Sequence, residues 1–366
     1  LGFRISDELD FARRVEDKSI LEGLGDTRGY FTRYGGDHHA LVLFPKRVRD
    51  ALGGGNRRFA EGVTVNQITW QLGSLSEVIN ATNWLRERGT EMQRSGRDMP
   101  GSNWHTYMYD PDGHTNELYY GIEQVGWEGF SKPLPMHDRR FAETPSLPQI
   151  SEFQEVQQAM QAGVDFHTGY RYVDPLPATF DVDGILLPRP FKIVRIGPVG
   201  TFVQDLDAAT AFYRDTLGFA VTEETVYQGQ RCVFLRANTE HHSVALYPIA
   251  LRETLGFSSH STTASFGVQL ANYRQLRDAV QFLRDNGVRV VQHTDPALHP
   301  GMDYVAHAFD PDGHAIQIYY YMEQVGWDGR PRPAAQRRVI DVNNWPDRVE
   351  PLSDTYEGEP YLGPWG

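Results

Sequence analysis

Across residues 191–321 the apolar positions change period twice, from strand-like runs to helical spacing and back. Residues 194–204 have strand character. Asp207 then stands where it can cap a helix burying Ala211, Phe212 and Leu217, and Gly218 follows where a helix commonly ends. Strands are predicted near 221–227, 231–236 and 242–247. The series restarts with a strand over 265–270, a helix over 273–286 and strands near 288–291, 304–309 and 315–321. Each series reads βαβββ. Asp310-Pro311-Asp312-Gly313 joins the last two strands, with proline fixing φ at the second turn position and glycine relieving strain at the fourth, so both aspartates are read as structural. Strand alternation sets Val305, His307 and Phe309 on one face, and Gln317, Tyr319 and Tyr321 on one face of the neighbouring strand.

The pattern is duplicated. Asp110-Pro111-Asp112-Gly113-His114 recurs at residues 310–314, and Glu123-Gln124-Val125-Gly126-Trp127 recurs at 323–327 with the same offset. Asp37-His38-His39 matches Glu240-His241-His242, and residues 83–89 match the helical stretch 281–287. The fold class is therefore α+β: four βαβββ modules paired into two barrel-like cups. Residues 1–130 form the first pair, 131–190 a Pro-rich linker with one helix-like stretch near 151–161, 191–330 the second pair, and 331–366 a surface tail. Leu1-Gly2-Phe3 aligns with Leu217-Gly218-Phe219, so the first module lacks its first strand and helix in this chain. A natural start about 25 residues upstream is expected, because a sheet without that strand leaves an open edge.

Composition narrows the function classes. A chain of 366 residues that is 40% hydrophobic can bury a core for roughly two domains. A net charge of −13 with scattered Lys and Arg argues against nucleic acid as a partner. Cys232 is the only cysteine, which rules out an intrachain disulfide or thiolate cluster and fits a cytoplasmic location; it is read as a half-buried strand residue. No apolar run is long enough to span a bilayer, and the first residues carry Arg4, Asp7, Glu8 and Asp10, unlike a signal peptide, so no membrane partner is expected.

The Asp-Pro-Asp-Gly hairpin followed by acidic Glu117, the Phe212-Tyr213…Leu217-Gly218-Phe219 helix exit and the His-His strand starts resemble the vicinal-oxygen-chelate (glyoxalase, bleomycin resistance and extradiol dioxygenase) superfamily. Within it the chain is most similar to two-domain type I extradiol ring-cleaving dioxygenases. The resemblance implies Fe(II) held in the second half by two His and a carboxylate. Those positions fall on or next to Pro198, on Ser265 and on Gln317, so the usual second-half iron site is expected to be absent. The resemblance further makes His242 an acid/base position and His307 the replacement of a pocket Tyr. In the first half it gives Glu117 the carboxylate position, Tyr107 the pocket Tyr position and His39 the acid/base position. Gln67 replaces a ligand His there; Gln serves beside Glu in related glyoxalases, so a divalent metal such as Fe(II) on Gln67, Glu117 and an upstream residue is one reading. The other makes Glu117 a satisfied cup residue.

The implied function is an enzyme, dioxygenase-like, acting on an aromatic or enolisable small molecule. His39, Tyr107, His242 and His307 carry the chemistry, while Tyr119, Phe309, Gln317 and Tyr319 contact the substrate. The alternatives are a metal-free binding or sequestering protein of the bleomycin-resistance type and a metal-independent isomerase or lyase. A homodimer is an allowed assembly. His105, at a strand start, is expected to be exposed unless it enters the first cup, and His114 and His314, after the turn glycines, are expected to be exposed. Trp127 and Trp327 are expected to be packing anchors.

Overall fold

The computed structural model describes residues 1–54, 62–293 and 295–349. The first half opens with β1 (Arg4–Asp10), β2 (Arg28–Arg33) and β3 (Leu41–Leu43), an antiparallel three-stranded sheet, followed by the short helix α1 (Lys46–Arg49). Next come β4 (Ile68–Gln71), α2 (Leu75–Glu87), β5 (Met92–Arg97), β6 (Trp104–Tyr109) and β7 (Thr115–Tyr120), whose strands pair in the order β4-β7-β6-β5. Helix α2 forms because Ser74 caps it, accepting from the Glu77 amide, and because Val78, Thr82 and Leu85 recur on one buried face. Gly89, at φ +69°, takes the left-handed position that closes it.

The linker is less irregular than its composition predicts. Helix α3 (Glu152–Gln161) begins with a reciprocal capping box between Ser151 and Gln154. Its Glu155 forms a buried two-pronged ion pair with Arg97 of β5, at 2.6 and 3.1 Å, which fastens the linker to the first half. A hairpin of β8 (Phe180–Val182) and β9 (Ile185–Leu187) follows.

The second half contains β10 (Ile193–Val203), α4 (Leu206–Ala211), β11 (Ala220–Tyr227), β12 (Gln230–Arg236), β13 (Val244–Pro248), β14 (Thr263–Leu270), α5 (Tyr273–Asp285), β15 (Val290–His293), β16 (Val305–Phe309) and β17 (Ala315–Tyr319). Its eight strands form one curved open sheet in the order β11-β12-β13-β10-β14-β17-β16-β15, a cup and not a closed barrel. Strand β10 joins the two βββ sets, running parallel to β13 and antiparallel to β14. In the first half the corresponding sets are separate sheets, and no strand equivalent to β10 lies among the described residues. Asp205, not Asp207, caps α4, accepting from the Asp207 and Ala208 amides, while the Asp207 carboxylate pairs with Arg231. Cys232 is fully buried among Phe202, Phe234 and Phe257 rather than half-buried.

The duplicated hairpins hold the halves together. Each turn closes with a Gly113 or Gly313 amide donating to the carbonyl of Asp110 or Asp310, as the turn chemistry predicts. Each turn histidine is oriented by its aspartate at 2.9 or 3.2 Å and reaches the opposite half: His114 Nε2 to Thr262 Oγ1 at 2.8 Å, His314 Nε2 to Thr64 Oγ1 at 2.9 Å. His114 is buried and His314 part-buried, correcting the expectation of solvent exposure: the partner hydroxyls come from the other half.

The repeated exit segments also differ from expectation. Trp127 is 88% and Trp327 100% exposed, so neither ring is a packing anchor. The segment works through its backbone instead: the Glu123 and Glu323 carbonyls accept from the His38 and His241 amides at 2.8 Å. Tail residues 331–349 lie against the second half, where Trp345 packs on Tyr304 and Arg337 pairs with Glu223. The tail prediction for 350–366 concerns positions outside the described residues. Among the described residues no helix is long and apolar enough to cross a membrane.

Candidate functional site

Both halves build the same chain of three side chains. In the second, Glu223 Oε2 lies 3.1 Å from His241 Nε2, and His241 Nδ1 lies 3.0 Å from His242 Nδ1. In the first, Asp7 Oδ2 lies 3.4 Å from His38 Nε2, and His38 Nδ1 lies 3.0 Å from His39 Nδ1. The imidazoles stand nearly perpendicular, at 89°, against Phe31 or Phe234. A carboxylate accepts only, so the first imidazole donates to it from Nε2 and accepts at Nδ1 from the second. The second imidazole is thereby left with a lone pair on Nε2, a tautomer assigned from the hydrogen-bond network. Burial, reinforced by the neighbouring imidazole, lowers His39 to about 3 and His242 well below the usual range, so both are neutral near pH 7. Burial pushes Glu223 up, but hydrogen bonds from His241 and Arg337 outweigh it and hold the carboxyl at about 2.

The glycines of two matching loops make room for these rings. Gly301, at φ +79°, would place a Cβ 2.5 Å from the His241 ring; Gly101, at φ +98°, would place one 2.8 Å from His39.

Beyond the relay the cups diverge. In the second, His307 lies across from Gln317 on the neighbouring strand and packs against Phe257, with ring centroids 4.4 Å apart. Gln317 Nε2 lies 2.9 Å from Nδ1 of His299, whose ring is 5.2 Å from that of His307. His299 went unpredicted. Its only signal was the repeat, because His299-Pro300-Gly301 matches Met99-Pro100-Gly101, where the first half has no titratable side chain. Phe309 sits in an apolar cluster with Phe257 and under Arg289, at 4.1 Å. Tyr319 packs with Met302, Val305 and Met322 and donates to the Gly197 carbonyl at 2.8 Å, which ties it to the sheet. His242, His307, Gln317 and Tyr319 are each at most 3% exposed, so this cup is filled by its own side chains.

The first cup centres on Glu117, which is fully buried. Its Oε2 accepts from Gln67 Nε2 at 2.7 Å and Thr69 Oγ1 at 2.9 Å, and its Oε1 accepts from Asn103 Nδ2 at 2.6 Å. Tyr107 stands directly opposite on β6. Burial dominates and raises Glu117 to about 7, against the lowering effect of these donors. Burial and the Glu117 charge raise Tyr107 well above its ordinary value.

His105 is buried, not exposed: its ring stacks on Tyr107 at 4.3 Å and its Nδ1 lies 3.4 Å from the Asn103 carbonyl. Burial lowers it to about 4. Arg94 lies 4.6 Å over the other part of this aromatic pair, on Tyr107, and pairs with Asp98. Both line a surface cavity of about 400 Å³. Tyr119 is at the half-buried margin, donating to Gln71 at 3.3 Å. His39 is half-buried and more accessible than its counterpart His242.

The side chains present do not fit a ferrous ion. Ser265 and Gln317 are neutral, and Pro198 has no side-chain donor. In the first half Gln67 directs its amide nitrogen at Glu117 and accepts from Asn66 through its oxygen, while the Glu117 oxygens already receive three donors. Among the described residues no group of three His, Cys, Asp or Glu is arranged to hold a metal.

A family model described as the Glyoxalase/Bleomycin resistance protein/Dioxygenase superfamily matches residues 1–118 and 195–318. No curated protein matches the chain. Among solved structures, a catechol 2,3-dioxygenase is similar at 16% identity, covering 96% of this chain and 88% of its own, with a TM-score of 0.54. The 2,3-dioxygenase LapB from Pseudomonas sp. KL28 is similar at 12% identity, covering 83% and 84%, with a TM-score of 0.52. The Mn(II)-bound glyoxalase from Novosphingobium aromaticivorans gives 14% identity, 89% and 86% coverage and a TM-score of 0.50. At these identities the likeness is one of fold.

Proposed function

We propose a function that starts from one established point: the chain belongs to the glyoxalase/bleomycin resistance protein/dioxygenase superfamily. Within it we read the protein as an enzyme that moves protons on a small aromatic or enolisable molecule in the first-half cup. Glu117 carries this reading: a buried carboxyl raised to about 7 is half-ionised near neutral pH and can take or give a proton there. Tyr107, beside it, can donate to a developing oxyanion, and neutral His39 offers a second acceptor at Nε2. Arg94 connects this cluster to the surface cavity, where a ligand would enter. No step is assigned to a metal, since the donor set does not fit one.

The test is carbon–hydrogen exchange in D2O, followed by NMR, for a panel of 1,2- and 1,3-dicarbonyls and phenolic ketones with chelator-treated full chain. At least one compound should exchange with an apparent pKa near 7, and Glu117→Gln should slow it by about 100-fold or more. Unchanged exchange in the variant, or turnover that appears only with added Fe(II) and consumes oxygen, overturns the reading. The loss of the second-half iron ligands, at Pro198, Ser265 and Gln317, favours a second reading, a sequestering protein. Saturable binding of panel members without any exchange would replace the enzyme by that alternative.

A further inference from the structure

The cavity of about 400 Å³ beside the first cup has three arginines in its wall, Arg94 and Arg97 from β5 and Arg140 from the linker. Two of them are already answered. The two terminal nitrogens of Arg94 donate to the two carboxylate oxygens of Asp98, and Arg97 is held by Glu155 and by the Ser102 carbonyl. Arg140 is not: it is exposed and, among the described residues, forms neither an ion pair nor a hydrogen bond.

Its backbone is nevertheless fixed. The neighbouring Phe141 exchanges two hydrogen bonds with Arg97, at 3.0 and 3.2 Å, which lays this stretch of linker antiparallel against the edge of β5. The Phe141 ring packs on Trp104 with centroids 4.8 Å apart. The Arg140 side chain therefore starts from an anchored point on the cavity wall.

A second unanswered cation is close by. Arg14, which follows β1, also forms no ion pair among the described residues. Its guanidinium is lowered by burial first and by the Arg140 charge second, against the weaker opposing pull of Asp98 and Asp7. Both of those acids are committed elsewhere, Asp98 to Arg94 and Asp7 to the histidine relay. Like charges held near each other without their own counter-charges favour an anion between them. A guanidinium suits a carboxylate in particular, which it can grip through two parallel N–H donors.

We propose that the substrate of the first-half cup carries a carboxylate, which Arg140 and Arg14 hold at the mouth of this cavity while the reacting part extends past Arg94 towards Tyr107 and Glu117. This rests on the proton-transfer reading above. Arg94 supplies the direction, because its guanidinium lines the cavity and lies 4.6 Å over the Tyr107 ring. Asp98, in the same wall, disfavours ligands of higher negative charge.

The full chain should be titrated calorimetrically with 4-acetoacetylbenzoate, an enolisable diketone with a carboxylate at its far end, and with the neutral amide 4-acetoacetylbenzamide. The acid should bind about tenfold more tightly than the amide, and Arg140→Gln should erase that preference. Arg140→Lys, which keeps the charge and loses the two-pronged grip, should retain part of it. In the D2O exchange assay the loss should fall on KM, whereas Glu117→Gln acts on kcat. Equal binding of acid and amide by the native chain, equal losses for both in Arg140→Gln, or no binding of the acid overturns the proposal. If the acid is preferred through Arg140 and does not exchange, the anion site stands and the proton-transfer reading falls.

Discussion

Glu117 shows how one side chain can be both a stability cost and a chemical asset. The unfolded chain titrates this carboxyl near its ordinary 4.5, whereas the folded chain holds the proton to about 7. The fold therefore disfavours the charged form. Its penalty is absent below about pH 4.5, grows as pH rises through the window and is complete above about 7, where it amounts to roughly 3 kcal/mol. Glu117→Gln should lose this slope: relative to the native chain, its unfolding free energy should rise between pH 5 and pH 8, measured by urea denaturation at each pH. Parallel curves for the two proteins would mean that Glu117 is ionised throughout. Glu223 behaves oppositely. Its carboxyl, held at about 2, stabilises the fold at neutral pH and loses that contribution as pH falls from the ordinary range towards 2.

Among the elements, the loops before β6 and β16 matter more than their lack of regular structure suggests. Each supplies a glycine in the left-handed region against a relay imidazole, and each is locked by its exit segment, since the Glu123 and Glu323 amides donate to the Gly101 and Gly301 carbonyls at 2.7 Å. Gly301→Ala should cost about 2–4 kcal/mol, combining backbone strain with a collision against His241. Gly229→Ala supplies the control, because Gly229 has the same φ sign, +78°, and no atom within 4 Å of an added Cβ. It should cost only the strain, about 1 kcal/mol. Equal thermal shifts for the two variants would show that the His241 contact carries no weight. The element pattern itself was largely legible: α2, α5, both hairpins and the capped linker helix follow from periodicity and turn chemistry. Hairpin β8–β9 was not, because its strands are three residues each, too short to show a period.

At the scale of the whole molecule, the two copies are coupled through the motif that reveals their duplication. His114 and Thr262 are 148 positions apart in sequence, and His314 reaches Thr64 across 250. A double-mutant cycle on His114→Ala and Thr262→Ala should return a coupling energy of about 1 kcal/mol, the typical net worth of one buried hydrogen bond. Strict additivity would place the halves' attachment elsewhere, for example in the Thr64–Ser261 hydroxyl contact at 2.6 Å.

The sequence by itself determined the duplicated α+β architecture, the hairpins and the family, because periodicity, caps and turn residues act within a few positions of the chain. Through the resemblance to the superfamily it also marked His39, His242, Tyr107 and Glu117 as chemically notable. Only the tertiary structure decided what surrounds them. Burial and desolvation come from segments far away in sequence, which is why the turn histidines proved buried, the exit tryptophans exposed, and His105 stacked inside the cup. The same reason applies to Glu117. Gln67, Thr69 and Asn103 reach it from different segments, and burial raises its carboxyl to about 7 even though hydrogen bonding to it works the other way.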